Sequence, residues 1–358
     1  MALRSSGDIP SSALLTPDLL NHPIYRHYNF GKDDRVIDIG VQPLWIPTNI
    51  ISEAIRRDKI LKKTISDLGL EIRFHAFLKG ADVNFFLFRG DLEVGMGGDM
   101  PTLIAASKGK VLISAIIQQG FCSIVARNHM MINQLRGKRI GYAFGSNAHY
   151  SLLNTLAQAG LSEDKAHLVS MDVNDMPPAM MEKRIDAFSA WEPTPFIAEN
   201  KFEGQTIIHR SLSSGYMYFS RPLKETKPEA VRLITASVLR AVRWLRKNDK
   251  NLLLASRWAL NSGSNLSSRT SELTAEEYAR LAKNDLLGTA SVPVIPETDL
   301  ASNGPLHREF NFLKRIGAID DAINWETVKS HFDRSIIANI LSDPLLHKLR
   351  IFEYENLE

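Results

Sequence analysis

The segment around residue 145 carries a strand pattern, a glycine turn and a helix pattern in immediate succession. The stretch 135–144 is typical of a short strand preceded by a turn, and Gly145 and Ser146 supply a tight turn and a helix N-cap. From Tyr150 onwards the apolar residues recur at helical spacing, until Gly160 ends the helix. A helix that begins directly after a strand points its free backbone N–H groups at whatever lies beyond the turn.

The same order of strand, turn and helix repeats through the first part of the chain. Strands are predicted at 36–41, 71–77, 92–95 and 111–117, with helices at 48–62, 81–89 and 101–107. Strands that alternate with helices at this spacing form a parallel sheet with right-handed crossovers. We therefore predict an α/β fold in which ligands bind beyond the carboxyl ends of the strands. The turns at 42–47, 97–101 and 145–149 would converge there.

The composition is that of a globular protein, and it narrows the classes of function. Hydrophobic residues make up 44% of the 358 residues and charged residues 23%, which is ample for a buried core. A net charge of +3 gives no support for nucleic-acid binding, which needs basic residues gathered on one face. The single cysteine, Cys122, cannot form an internal disulfide or a thiolate-built metal site. We predict no metal ion and no cofactor.

The first 18 residues differ from a secretory signal. They contain Arg4, Asp8 and Asp18 and have no apolar h-region. No apolar run in the chain reaches the roughly 20 residues that cross a bilayer. Two expectations about the compartment stay open: a cytoplasmic protein with Met1 as its native start, or a periplasmic or membrane-associated extracytoplasmic protein whose signal was removed before the numbering began.

Four short motifs give the chain a resemblance to a known family. They are Gly137-Lys138-Arg139-Ile140, Gly145-Ser146 with His149, Ile185-Asp186-Ala187, and Trp191-Glu192-Pro193. In this order and spacing they resemble the second-lobe motifs of solute-binding proteins of ABC importers, in the NMT1/THI5-like and SsuA-like branch. That branch handles sulfonates, taurine, nitrate and thiamine-precursor pyrimidines. The resemblance covers about 36–337 and includes a first-lobe counterpart at 80–95.

The resemblance implies a two-lobed periplasmic-binding-protein fold of type II, with parallel-rich sheets, flanking helices and two crossover hinge strands. We assign 36–120 together with 212–320 to lobe I and 121–211 to lobe II. Residues 1–35 are predicted to form an N-terminal arm. Residues 321–358 are predicted to form a C-terminal helical extension packed on lobe I.

Lobe I supplies candidate ligand contacts from two turns and one strand. Gln42 and Trp45 follow the first strand, where a rigid aromatic ring would form a wall of the ligand slot. Gly98, Asp99 and Met100 form the second turn, where Asp99 is expected to cap the helix that begins at Pro101 and to be near ligand. Tyr216, on the return strand, would help to shape the slot.

Lobe II supplies the remaining candidates. Ser146 and Asn147 are N-cap residue types, and capping is compatible with binding an oxyanion on the backbone N–H groups. His149 could donate to an anion, although a packed or solvated histidine is the alternative. Trp191 and Glu192 end a strand; the carboxylate could accept from an amine or an aminopyrimidine edge, or form a salt bridge or hinge contact instead.

These residues together predict a solute-binding protein that captures a small polar organic molecule between two lobes for an ABC importer. The molecule would be a sulfonate-like anion or an aminopyrimidine-like compound, although Asp99 with Glu192 would disfavour a bare anion. We expect a monomer whose closed form is recognised by a permease. The alternatives are a desulfinase- or decarboxylase-like lyase or a pyrimidine-forming enzyme on the same scaffold, or a ligand sensor. No catalytic residue is predicted, since Cys122 lies in an apolar strand and the first turn carries no thiol.

Overall fold

The computed structural model describes residues 18–30, 33–288 and 293–355. Residues 1–17 and 31–32 of the predicted N-terminal arm therefore lie outside the described residues. The strands in the described part are β1 (Val36–Val41), β2 (Glu71–Ala76), β3 (Val94–Gly98), β4 (Val111–Arg127), β5 (Arg139–Tyr142), β6 (His167–Ser170), β7 (Ala187–Trp191) and β8 (Gln205–Ser220).

Helices occupy most of the intervals between the strands, as the alternating pattern predicts. Between β1 and β8 lie α1 (Thr48–Arg57), α2 (Lys59–Asp67), α3 (Gly80–Arg89), α4 (Asp99–Ser107), α5 (Asn147–Gln158), α6 (Met176–Met181) and α7 (Thr194–Lys201). The remainder of the chain contains α8 (Arg221–Thr226), α9 (Pro228–Lys247), α10 (Asp249–Ser267), α11 (Ala275–Gly288), α12 (Glu297–Leu300), α13 (Pro305–Arg315), α14 (Trp325–Lys329) and α15 (Ser335–Ser342). Across the described ranges, no helix combines the length and apolarity needed to cross a membrane.

The described strands form one mixed sheet in the order β2-β1-β3-β8-β4-β7-β5-β6. At one end β1 pairs in parallel with β2 and β3, and at the other end β5 pairs in parallel with β6 and β7. Between these parallel groups, β8 and β4 run antiparallel to each other and to their outer neighbours β3 and β7. The sheet thus has two parallel ends, one in each predicted lobe, joined by two long central strands.

The central strand β4 joins two segments that the sequence predicts separately, the strand over 111–117 and a crossover strand over 118–126. It runs unbroken to Arg127 and stays paired with β8 along that length. Its register shifts near Ile113, Ile116 and Ile124. These irregularities bend and twist the ribbon locally without ending it, so the two strands connect both ends of the sheet.

Two predictions about the C-terminal half are wrong. The Ser and Asn content of 261–271 predicts a polar loop, but α10 continues to Ser267 because its small residues pack closely, with Gly263 against the Pro43 backbone. The apolar spacing over 327–341 predicts one helix, but this helix is interrupted because residues 331–333 pair with β4. The backbone N–H of Ile113 donates to His331, and that of Asp333 donates to Ile113.

The largest apolar core lies between the first helices and α9, where Ile50, Ile55 and Val238 are fully buried. An ion pair sits inside it: Arg240 Nη2 lies 2.7 Å from Asp58 Oδ2, and both side chains are at most 2% exposed. The arm is anchored by Tyr25, whose hydroxyl donates to the Asp82 carboxylate at 2.7 Å.

Candidate functional site

The turns after β1, β3 and β5 and the end of β7 meet at one small cavity between the two ends of the sheet. Its volume is about 10 Å³, space for about one water molecule. Six of the predicted contact residues line it together with Gly80 and Pro101: Gln42, Trp45, Gly98, Ser146, Asn147 and Trp191. The convergence follows from topology, because the carboxyl ends of β1, β3, β5 and β7 lie at this edge.

The two lobes touch where Gly98 meets Asn147. A Cβ built on Gly98 would overlap the Asn147 side-chain amide, so only glycine allows this approach. The Asn147 amide also donates to Ser213 Oγ at 2.5 Å, which ties the start of α5 to the hinge strand β8. The contact leaves little room in the small cavity, and a ligand larger than a water molecule requires the lobes to separate there.

The start of α5 has the capping geometry that the sequence predicts. Ser146 is the N-cap, its Oγ accepting from the His149 N–H at 3.2 Å and donating to the Ala143 carbonyl at 2.6 Å. Asn147 is the first helical residue, and the helix extends for 12 residues. The first N–H groups of α5 therefore lie beside the cavity that Ser146 and Asn147 line, and a helix start of this kind can donate to a polar group.

His149 lies behind this turn, outside the cavity lining. Its ring packs against Tyr142 and Phe144, with centroid separations of 4.5 and 5.4 Å, and Nδ1 accepts from the Gly145 N–H. Burial lowers the pKa of His149 to about 4, so the imidazole is neutral at pH 7. These contacts stabilise the turn, and the neutral ring supplies no positive charge to the cavity.

Trp45 and Trp191 form the aromatic walls, one from each lobe. The Trp191 indole donates to the Leu44 carbonyl at 2.9 Å, and the Ile46 N–H donates to the Glu192 carbonyl at 3.1 Å, so the two loops are joined by hydrogen bonds. The Glu192 carboxylate accepts from the Phe196 N–H at the start of α7 and is not part of the cavity lining. The Ile46–Pro47 and Glu192–Pro193 peptide bonds are both cis.

The prediction that Asp99 caps the following helix is wrong. Helix α4 begins at Asp99 itself, two residues before Pro101, and its N-cap is Gly98. Asp99 Oδ2 instead accepts from the Ser214 N–H at 3.0 Å, which joins α4 to β8. Burial raises the pKa of Asp99 to about 7, although the Ser214 N–H opposes the shift. Met100, beside it, is packed in the core.

Tyr216 does not border the small cavity. It lies with Asp99 and Asn147 along a second, larger cavity of about 360 Å³ on the other side of Asn147. The other polar groups there, among them Tyr150, Ser151 and Glu309, are not marked by any local pattern in the sequence. Glu309 comes from α13, which is distant in sequence and carries no local motif that would have marked it.

Cys122 has the environment of an inert core residue. Its side chain is 1% exposed. Its strand β4 lies between β7 and β8, where Cys122 pairs with Trp191 on one side and with Ser211 on the other. Burial raises the pKa of the thiol, and the nearby Asp99 raises it further. A nucleophilic cysteine needs an accessible site that stabilises the thiolate, and this position has the opposite properties.

Sequence relatives of the chain include proteins named for binding. A protein of Brucella abortus (strain 2308) that is named as a binding protein is 25% identical over 230 residues, which is 60% of this chain and 72% of that one. The taurine-binding periplasmic protein of Escherichia coli K12 is 27% identical over 129 residues, covering 35% of this chain and 40% of its own.

Solved structures share the fold at low sequence identity. The periplasmic aliphatic sulphonate binding protein SsuA of Escherichia coli superposes with a TM-score of 0.64 at 15% identity, covering 86% of this chain and 100% of its own. The desulfurization enzyme DszB superposes with a TM-score of 0.55 at 13% identity, covering 86% and 99%. These neighbours confirm the α/β periplasmic-binding-protein fold and include both a binding protein and an enzyme. The family model described as NMT1/THI5 like matches residues 66–250, more than half of the chain, and the protein belongs to the NMT1/THI5-like family.

Proposed function

We propose that this protein captures a small polar organic molecule between its two lobes and delivers it to an ABC importer. The observation that carries the proposal is the small cavity, to which lobe I contributes Trp45 and Gln42, and lobe II contributes Trp191 and the polar start of α5. An aromatic surface paired with a few oriented polar groups is typical of sites for small organic ligands. A sulfonate-like or aminopyrimidine-like compound fits this chemistry.

Ligand capture would depend on the lobes moving apart and together. A 10 Å³ space admits no organic ligand, so the Gly98–Asn147 contact must open for entry. The central strands β4 and β8 are the natural hinge, because they are the long strands shared by both ends of the sheet and carry three register shifts. A ligand that contacts both lobes binds the closed form more tightly than the open form. This difference in affinity sets how far the ligand shifts the equilibrium towards the closed form.

The polar groups favour a ligand that is more than a simple anion. The N–H groups at the start of α5 would bind an oxyanion or another acceptor. Gln42 donates its amide to the Met96 carbonyl at 2.7 Å, which leaves its side-chain oxygen as an acceptor for a ligand N–H. A ligand with both acceptors and donors would therefore use the site more completely than nitrate or sulfate.

Transport requires an extracytoplasmic location and a permease that recognises the closed lobes. The periplasmic relatives support that location, and we propose that the protein acts there as a monomer. Catalysis by a thiolate is the less favoured alternative. The enzyme neighbour shares only the fold, and Cys122 is buried with a raised pKa.

The test is a thermal-shift screen of the purified protein against sulfonates, taurine, nitrate, aminopyrimidines, flavins and aromatic acids. A ligand at about 100 times its Kd adds about 2.7 kcal/mol to the free energy of unfolding, which raises Tm by a few degrees. Trp45→Ala and Asn147→Ala should abolish the shift. Asn200→Ala, at an exposed asparagine of α7, is the matched control and should keep it.

Mass spectrometry of the bound compound separates the two activities. A hit recovered chemically unchanged, and lost in the two cavity variants, supports a binding protein. A hit that is consumed identifies an enzyme instead. A hit that binds equally well to Trp45→Ala and Asn147→Ala would place the ligand elsewhere and refute the proposed site.

A further inference from the structure

The 360 Å³ cavity lies between lobe II and the later part of lobe I. Its walls are one side of α5, residues 211–214 of β8, and the segment from α12 to α13. Asn147 borders both this cavity and the small one, so the two are neighbours separated by the start of α5. The volume is within the range of small-molecule sites.

Two buried carboxyl groups line this cavity. Asp99 is 8% exposed and Glu309 is 3% exposed. One oxygen of each, Asp99 Oδ1 and Glu309 Oε1, has no hydrogen-bond partner among the described residues. Asn147 Oδ1 and Ser151 Oγ are likewise buried without a partner in the described part of the chain. Four such atoms on residues that line one cavity are unusual, because buried polar atoms are costly unless a bonding group satisfies them.

The electrostatics of the cavity are acidic. Asp299 adds a third carboxyl group to the lining, and Arg308, which is exposed, directs its guanidinium to the Asn303 carbonyl. Burial and the Asp99 charge both raise the pKa of Glu309 well above its usual value. The Tyr150 hydroxyl has a raised pKa, mainly through burial and then through Glu309 and Asp99. Each of these groups would be stabilised in its charged form by a positive charge in the cavity.

We propose that this cavity binds a small organic cation, a protonated primary amine on a short alkyl chain, with Asp99 and Glu309 as its charge partners. An ammonium group supplies three donors for the unpartnered acceptors. The alkyl part would lie against Leu306 and the rings of Tyr150 and Tyr216, which also attract a cation through their π faces. This cavity also lies between lobe I and lobe II, but on the opposite side of Asn147 from the small cavity proposed to capture the solute, and its binding of a cation does not depend on that capture.

An organic cation suits this cavity better than a metal ion. No group of three or more His, Cys, Asp or Glu side chains within the described residues is arranged to hold a metal. A bare ion would also leave most of the 360 Å³ unfilled. A short amine fills the volume, pairs with the carboxyl groups and covers the apolar wall.

Isothermal titration calorimetry with n-butylammonium chloride tests the proposal, with n-butanol and sodium chloride as probes that lack the charge or the chain. We expect one butylammonium ion per protein and no heat of binding from either control. Glu309→Gln should weaken binding about tenfold or more, because it removes a charge-assisted hydrogen bond. The near-isosteric amide preserves folding, which an unchanged Tm would verify. Glu326→Gln, at a glutamate whose side chain is 74% exposed, is the matched control and should bind like the parent protein.

A second variant makes the result independent of Glu309. Asn154→Lys, on the α5 wall, places a tethered ammonium at the cavity, so it should block butylammonium binding and raise Tm.

Binding of butylammonium should also release protons from the protein, because the cation favours the ionised forms of Asp99 and Glu309. The release is measured as a dependence of the apparent binding enthalpy on the ionisation enthalpy of the buffer. The other titratable or charged groups facing Asp99 and Glu309 are Cys122, Tyr150, Tyr216, Asp299 and Arg308.

Three results would overturn the proposal. They are no binding of butylammonium by the parent protein, equal binding of butanol, and an unchanged affinity in both Glu309→Gln and Asn154→Lys.

Discussion

Replacing Asp99 by asparagine should change how the stability of the ligand-free protein depends on pH. The pKa of Asp99 is about 7 in the folded protein and 3.8 in an exposed chain, chiefly because burial disfavours the charged carboxylate. The folded state therefore holds this proton over a pH range where the unfolded chain has lost it. The resulting stabilisation is fully present below pH 3.8 and is lost as the pH rises through 7.

The size of the effect follows from the two pKa values. Each pKa unit corresponds to about 1.4 kcal/mol, so the full loss across the range is about 4 kcal/mol. Between pH 5 and pH 8, where urea titrations are practical, the Asp99 contribution should fall by about 2.5 kcal/mol. Asparagine cannot titrate, and its side-chain oxygen can still accept from the Ser214 N–H. The stability of Asp99→Asn relative to the parent protein should therefore rise by about this amount.

The measurement is a set of urea unfolding curves at pH 5, 6, 7 and 8 for both proteins. Taking the difference between them removes most of the contribution of other buried carboxyl groups, which are common to both. Asp67→Asn, at an aspartate whose side chain is 60% exposed, controls for the substitution itself. A difference between Asp99→Asn and the parent that stays constant from pH 5 to pH 8 would refute the burial argument for Asp99.

Three further predictions concern the lobe contact, the buried ion pair and the thiol. Gly98→Ala should weaken binding of the ligand found in the screen about tenfold, because overpacking against Asn147 costs about 1–3 kcal/mol in the closed form; an unchanged affinity in calorimetry would contradict the contact. Arg240→Met should lower the free energy of unfolding in urea by about 3–5 kcal/mol, because Asp58 is left buried without its partner; a loss below 1 kcal/mol would argue against this. Cys122 should resist iodoacetamide at pH 8 in the native protein and react in urea, as followed by mass spectrometry; rapid native labelling would show that the thiol is accessible.

The sequence predicts the order of the strands and helices well because local patterns of apolar residues determine that order. Apolar periodicity distinguishes 71–77 from 81–89 without any knowledge of the rest of the chain. The errors arise where distant contacts decide the outcome. The helix expected at 327–341 is interrupted because residues 331–333 pair with β4, and α10 continues through the polar residues 261–267, where Gly263 packs on the Pro43 backbone. Neither partner is visible in the local sequence.

The candidate site was likewise predictable where local patterns determine it, and not where distant contacts do. Topology predicts that the turns at Gln42, Gly98 and Ser146 converge, since each follows a strand of a parallel group, and these residues do line one cavity. The partner of Asp99 was not predictable, because Ser214 lies 115 residues away and a capping position near Pro101 is the more common use of an aspartate. Glu309 has no local signal, and only the packing of α13 against α4 and α5 brings it to the cavity.

The place of β8 in the sheet also determines when each lobe can be completed during synthesis. Lobe II pairs strands that lie between Phe121 and Leu212, so its part of the sheet is available once that stretch has left the ribosome. In lobe I, Val94 of β3 can pair only after Phe219 of β8 has been synthesised. Closing the long loop between these two residues is entropically costly and slow. A nascent chain paused before residue 213 would therefore hold a finished second lobe beside a first lobe whose β3 edge is still unpaired and exposed to other chains.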